Sequence, residues 1–316
     1  RAPFDPDAVH VDDGRAQVVF SSDGGATFCP PGFALTCGSF RAKGSRTSAD
    51  VALGVLIATA DNSPPNLAMV VGADGGLSQQ LALTRAQCGT STGLGGVDLL
   101  DGQLAVSCGN LFALGGVVSP TTTGTSSRLS YDVSCAAGGC VVPWQTDLNV
   151  TFHRTTFQAS GSPAIIDFPG MVMADDRPTP ATAVVALDDG GVFAAWSVFS
   201  RNIGGSNGVW VETPGDGGLT TFDVTPVGVR LSCLDSCVLS WGNGYSPELR
   251  SFEGGQWVNR SAGFMGIGVL SWAGVLHGTT LVVAEPRLSG NSELWTNGTR
   301  RQTVSNARQL TIVRHR

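Results

Sequence analysis

Turn signals built on Gly recur along this chain at near-constant spacing. They centre near Gly24, Gly75, Gly124, Gly170, Gly217, Gly254 and Gly298, and the six intervals average roughly 46 residues. A repeat of that length, filled with short strands, is a propeller-blade period. The segments between turns support it. Short apolar runs precede each turn: Val55-Leu56-Ile57, Leu104-Ala105-Val106, Val141-Val142, Val192-Phe193-Ala194, Val238-Leu239 and Leu281-Val282-Val283. They are β-branched or aliphatic, too short for helices, and read as bounded by Gly or Asp.

A second strand follows each run, as in Asn66 to Val70, Gly208 to Val211 and Glu293 to Trp295. A third lies beyond the turn, as in Leu219 to Val224 and Arg301 to Val304. A fourth opens the next unit, as in Val229 to Cys233. Each unit thus reads as four strands, A to D from the inside out. The fold expected is all-β: one seven-bladed β-propeller of four-stranded antiparallel blades, spanning residues 1–316. The ends complete the count. Gln309 to Val313 reads as an A strand, and Val9 to Val11, Ala16 to Phe20 and Ala26 to Cys29 read as B, C and D. The closing blade is therefore expected to be built from both termini, which hides the open sheet edges.

Composition limits the function. The chain has 316 residues with 43 Gly and only 14% charged residues. Lys43 is the single lysine among 19 basic residues, an Arg-heavy usage that suggests a GC-rich, bacterial source. The net charge of −6, without a basic run beyond Arg300-Arg301, disfavours nucleic acid and anionic lipid as partners. The uncharged stretch from Ser261 to Ala284 is broken by Gly263, Gly266, Gly268, Gly274 and Gly278, so it reads as two strands, not a membrane span. The opening residues carry no apolar leader. An exported chain is then expected to have lost its signal peptide, or to be a trimmed domain.

Eight cysteines are present. Cys135/Cys140 and Cys233/Cys237 are spaced to clamp an A–B turn by a disulfide. Cys88 and Cys108 are expected at the same end of their strands and able to meet; Cys29 and Cys37 pair by elimination. Disulfides imply an oxidising location: extracellular, cell surface or periplasm. Neither tight pair has the spacing of a zinc site. The segment 135–144 aligns with 233–241, and in the following unit Trp272 is expected to replace the first cysteine.

The segment Ser21-Ser22-Asp23-Gly24-Gly25-Ala26-Thr27-Phe28 resembles the Asp-box of sialidase-like, BNR-repeat propellers. Its Ser21, Asp23, Gly25, Thr27 and Phe28 match Ser-x-Asp-x-Gly-x-Thr-aromatic. Gly215 to Thr220, Ala73 to Ser78 and, more distantly, Glu253 to Trp257 look like decayed copies. The resemblance implies a structural C–D turn, on the face opposite the ligand site. The catalytic set of a sialidase is poorly matched. Arg1-Ala2-Pro3 only loosely resembles Arg-Ile-Pro, and Tyr131 and Tyr245 are the only tyrosines, with Tyr245 and Glu248 the one close Tyr/Glu pair.

Other chemical motifs are weak. Gly89 to Gly93 and Gly204 to Gly208 match GxSxG but lack the following helix of a nucleophile elbow. His10, His153, His277 and His315 have no metal-ligand spacing. Asp12-Asp13, Asp175-Asp176 and Asp188-Asp189 suit turns better than calcium, though structural calcium is compatible with them. Sequons stand at Asn149, Asn259 and Asn297. Trp144, Trp196 and Trp241 repeat at one strand position, which favours core packing between blades over sugar stacking.

The B–C and D–A loops are the expected ligand face. They carry Asp61, Asn62, Asp147, Arg201, Asn202, Tyr245, Glu248, Glu285 and Arg287, with Asp175, Asp176 and Arg177 on a D–A loop. The function expected is a non-catalytic binding module for a glycan or protein ligand, with no cofactor. The alternatives are a glycosidase or lyase using carboxylates of those loops, and a structural subunit marked by a large apolar outer patch.

Overall fold

A computed structural model describes residues 16–22, 37–46, 51–59, 66–72, 77–83, 96–109, 111–120, 128–129, 132–146, 152–158, 163–168, 182–198, 208–215, 219–224, 227–233, 236–242, 247–264, 269–276, 279–285, 292–304 and 307–315. All regular structure among the described residues is β. The strands are β1 (Ala16–Ser22), β2 (Cys37–Arg46), β3 (Val51–Thr59), β4 (Asn66–Gly72) and β5 (Leu77–Leu83). Next come β6 (Gly96–Leu100), β7 (Gln103–Cys108), β8 (Leu111–Leu114), β9 (Val117–Pro120), β10 (Arg128–Leu129), β11 (Ser134–Ala136), β12 (Gly139–Thr146), β13 (Phe152–Gln158) and β14 (Ala164–Phe168). They continue as β15 (Thr182–Ala186), β16 (Val192–Val198), β17 (Gly208–Glu212), β18 (Leu219–Asp223), β19 (Val227–Cys233), β20 (Cys237–Gly242), β21 (Pro247–Glu253) and β22 (Gln256–Asn259). The last are β23 (Val269–Leu276), β24 (Thr279–Glu285), β25 (Ser292–Thr296), β26 (Thr299–Val304) and β27 (Ala307–His315).

These form six sheets, numbered I to VI along the chain. Sheet I has the order β1-β27-β2-β3-β4-β5. Sheet II is β6 to β9, and sheet III is β10 to β14 with both β10 and β11 against β12. Sheets IV (β15 to β18), V (β19 to β22) and VI (β23 to β26) are four-stranded antiparallel meanders, as is sheet II. The apolar runs read from the sequence fall in β3, β7, β12, β16, β20 and β24, the second strand of each meander. Their short, continuous apolar character between Gly or polar residues is local, so they are legible without tertiary information.

The fourth strands are the least buried, and the first and second strands carry most of the buried residues. Every residue of β6 is buried, whereas β18 and β22 are mostly exposed. The first strands pack in succession: β2 on β6, β6 on β11, β11 on β15, β15 on β19, β19 on β23 and β23 on β27. β27 then pairs in parallel with β2 through Ser45↔Arg314 and Arg46↔His315. A strand edge flanked by sheets on both sides loses water from both faces, which is why β6 carries an unbroken apolar run around one polar residue.

Small polar side chains fasten these strands to their neighbours. Cys135 N–H donates to Asp98 Oδ2 at 2.8 Å, and Val184 N–H to Asp132 Oδ2 at 2.8 Å. Ala186 N–H donates to Ser134 Oγ at 3.1 Å, and Ser232 Oγ–H donates to Ala273 O. Asp98 and Asp132 are each 7% exposed, so their carboxylates are held by backbone amides in place of water. Between sheets II and III the backbones almost touch. A Cβ on Gly96 would lie 2.3 Å from Val133 N and 2.4 Å from Asp132 Cα. Gly96→Ala is therefore expected to cost about 3 kcal/mol, because backbone must move. Gly102→Ala, with φ +75° and open space, is expected to cost only about 1 kcal/mol. Urea midpoints of the two variants check the difference.

Cys135–Cys140 and Cys233–Cys237 are disulfides across the β11–β12 and β19–β20 hairpins, as expected. Each short loop contributes about 2 kcal/mol through the unfolded state. Cys108, at the end of β7, is also disulfide-bonded. Cys88 and Cys29 lie outside the described residues, and Cys37 opens β2.

Several sequence expectations need correction. The turns near Gly75, Gly217, Gly254 and Gly298 do join third and fourth strands. Gly124 does not: the third-to-fourth turn of sheet II is Gly115-Gly116, and Gly124 follows β9. Gly170 likewise follows β14, the last strand of sheet III. Ala16 to Ser22, expected in third position, pairs directly with β27, Ala16 opposite Arg314 and Phe20 opposite Leu310. Val275 and Thr280 occupy in sheet VI the positions that Cys135 and Cys140 hold in sheet III, one pair in from the hairpin. Trp272 is opposite Val283, three residues too early for that role. Of the Asp-box set, Ser21 lies in β1; Asp23, Gly25, Thr27 and Phe28 lie outside the described residues.

Candidate functional site

Two kinds of connection collect at one edge of the sheets: second to third strand, and fourth strand to the next first strand. The hairpins with the disulfides lie at the opposite edge. Asp61, Asn62, Asp147, Arg201, Asn202, Tyr245 and Arg287 lie outside the described residues, as do Asp175, Asp176 and Arg177. Glu248 stands near the start of β21 and Glu285 ends β24, so they occupy the same edge of neighbouring sheets V and VI.

Glu248 is half-buried and opposite Trp241 in register. Its Oε2 accepts the Ser261 hydroxyl at 2.9 Å, and Ser261 N–H donates to the exposed Asn259 Oδ1 at 2.8 Å. Leu249 N–H donates back to Ser261 Oγ at 3.0 Å. Ser261 follows β22, so this cluster ties the fourth-to-first connection to the start of the third strand. Alternation along β21 puts Glu248, Arg250 and Phe252 on one face, and that face meets sheet IV. Arg250 lies over the Phe222 ring at 5.5 Å, and Phe252 meets Phe193 at 5.2 Å.

The repeated tryptophans are core residues, which settles the choice between packing and sugar stacking. Trp144, Trp196 and Trp241 are 3%, 0% and 3% exposed. Trp144 stacks on His153 at 3.8 Å, Trp196 on Phe152 at 5.4 Å and Trp241 on Phe222 at 5.2 Å. Each is held within the packed interior by an aromatic neighbour. His153 is buried in that stack and is part of the core.

One ion pair, invisible to sequence reasoning, spans sheets III and IV. Arg154 Nε donates to Glu212 Oε2 at 2.9 Å and Oε1 at 3.1 Å, with side chains 14% and 4% exposed. Burial pushes the Glu212 carboxyl above its ordinary range, and the Arg154 hydrogen bond and charge oppose that shift without cancelling it. The two residues are 58 positions apart, and no local pattern links them.

Other motifs resolve as structural. Asp189 Oδ1 accepts Gly191 N–H at 2.9 Å, a turn contact in the β15–β16 hairpin. Among the described residues no three His, Cys, Asp or Glu side chains could hold a metal ion. No described helix is long and apolar enough to cross a membrane. Val117, Val118, Ile165 and Ile166 are exposed on β9 and β14, the outermost strands of sheets II and III.

No family model matches the sequence, and no curated protein does. Solved structures with a similar course of chain do exist. The Dos1 propeller is 12% identical, with 94% of this chain and 83% of that one covered, at a TM-score of 0.49. A mutant of the Aleuria aurantia lectin in complex with alpha-methyl-L-fucoside is 11% identical, covering 86% and 96%, at 0.47. The Trypanosoma rangeli sialidase is 11% identical, covering 83% and 47%, at 0.44. The chain spans less than half the length of that sialidase, and of several peptidases it resembles to a similar degree.

Proposed function

We propose that the chain is a seven-bladed β-propeller that works as an exported, disulfide-clamped binding module, not as an enzyme. Sheets II to VI and the β2–β5 meander supply six blades, and β27 with the N-terminal strands supplies the closing one. The ligand is a glycan or a protein, met at the cell surface or in the periplasm. The reading needs no cofactor.

One observation supports it: the polar side chains of the interior are spent on structure, while Glu248 and Glu285 stand at the same edge of neighbouring sheets V and VI. Asp98, Asp132 and Ser134 hold the backbone of the neighbouring sheet, and Glu212 is committed to Arg154. Glu248 and Glu285 stand at the loop edge, with the remaining polar loop residues belonging to the same connections. Such an edge suits recognition by several shallow contacts. Disulfides at the opposite edge suit a compartment without thiol reductants.

A glycan array probed with wild type and with the Arg201→Ala/Glu285→Ala double variant tests the reading. Binding of the wild type to a restricted set of glycans, lost in the double variant, is the expected result. No binding by either protein, to glycans or to extracellular-matrix and cell-surface protein panels, overturns it.

A further inference from the structure

The two disulfide-clamped hairpins are built alike and buried differently. In each, the cysteines are opposite in register, Cys135 to Cys140 and Cys233 to Cys237. Cys135 and Cys140 are both 0% exposed and lie in the core between sheets II and III, with Phe112, Val133 and Phe157. Cys237 is 7% exposed, and its partner Cys233 is only half-buried, at the margin of the core between sheets IV and V.

Access decides which of the two can be opened. Thiol–disulfide exchange needs a thiolate to reach one sulfur of the bond. At Cys135–Cys140 neither residue reaches solvent, so exchange waits for the core to open. At Cys233–Cys237 exchange can begin at Cys233 in the folded protein. The hairpin that this disulfide closes also docks on the next sheet. Ser232 Oγ–H donates to Ala273 O, and Ser236 forms an isolated bridge to Val275 of β23. Each cysteine thus directly follows a residue that touches β23.

We propose that Cys233–Cys237 is a redox switch, opened in the folded protein by a protein dithiol of the Cys-x-x-Cys class while Cys135–Cys140 stays closed; the proposal is independent of what the protein binds. The attacking thiolate bonds to the Cys233 sulfur, and the Cys237 sulfur leaves as a thiolate and takes a proton. The second thiol of the reductant then displaces Cys233, which leaves as a thiolate and is protonated in turn. Two electrons and two protons pass to the hairpin, and the reductant ends as a disulfide. Such a dithiol acts by direct contact, so it needs no reducing pool in the surrounding compartment. Without the cross-link, the turn from Cys233 to Cys237 samples more conformations, and its contacts with Ala273 and Val275 loosen.

The test incubates the intact, folded protein with a reduced Cys-x-x-Cys oxidoreductase, alkylates samples at intervals and maps the labelled cysteines by mass. Cys233 and Cys237 are expected to be labelled about tenfold or more faster than Cys135 and Cys140. Amide hydrogen exchange is expected to rise at 232–237 and 273–275 and to stay unchanged in sheets II and III, with cooperative melting retained. Equal rates at the two pairs, or faster labelling of Cys135 and Cys140, overturn the proposal. So does opening of Cys233–Cys237 without faster exchange at 273–275. Cys233→Ser/Cys237→Ser is expected to show the same exchange pattern with no reductant present. Should that variant fail to fold, the labelling rates of the wild type still decide.

Discussion

A chain ending at Val304 is expected to lose cooperative folding altogether, not one strand's share of stability. The deletion removes β27, which sits between β1 and β2 in sheet I. β1 is antiparallel to β27 from Ala16 to Ser22 and has no other strand partner in the sheet order. β2 loses its parallel contact at Ser45 and Arg46. β23, β24 and β25 of sheet VI also pack on β27, so the deletion strips the neighbouring sheet as well. Two unpaired edges and an uncovered sheet face remain, which favours association with other chains. Circular dichroism melting and size exclusion check this. A soluble monomer with the melting temperature of the intact chain would overturn it.

The second large effect belongs to the buried pair between sheets III and IV. Arg154→Ala is expected to cost about 3–5 kcal/mol, because it leaves the Glu212 carboxylate buried without a counter-charge. Replacing both residues together, as Arg154→Met/Glu212→Leu, is expected to restore most of that loss or exceed wild type, since the desolvation cost disappears with the charges. The pH dependence follows from the direction of the Glu212 shift. Its carboxyl is raised above the ordinary carboxylate value, so the folded state holds the proton more tightly than the unfolded chain. The associated stability is fully present below the ordinary Glu range and is lost as pH rises through the raised value. Removing Arg154 takes away both influences that hold the value down, so the loss in Arg154→Ala extends to higher pH. Urea midpoints in mildly acidic and neutral buffer check this. The variant should recover part of its deficit in acid, and an equal deficit at both pH values would contradict the assignment.

Much of the strand inventory was legible in the sequence. The runs around Val55, Leu104, Val141, Val192, Val238 and Leu281 each fall in a second strand, and the cysteine pairs at 135/140 and 233/237 clamp the hairpins expected of them. The ruler of turns failed where two Gly-containing segments competed. Around sheet II both Gly115-Gly116 and Gly124 suit a turn, and the average period selected the wrong one. The repeated tryptophans were readable as core from their common strand position, and their burial agrees.

The sequence alone determined what is local: short apolar runs, Gly turns, short cysteine loops and hence a chain of meanders. Only the tertiary structure decided which sheet faces which. Arg154 meets Glu212 across 58 residues, Asp132 holds Val184 across 52, and Asp98 holds Cys135 across 37. These contacts depend on the order of packing around the first strands, and side-chain spacing carries no record of it. The same holds for Trp241. As a sequence it repeats Trp144; in the fold Arg250 stands where Thr155 would accept its hydrogen bond, and among the described residues the Trp241 Nε1–H has no acceptor.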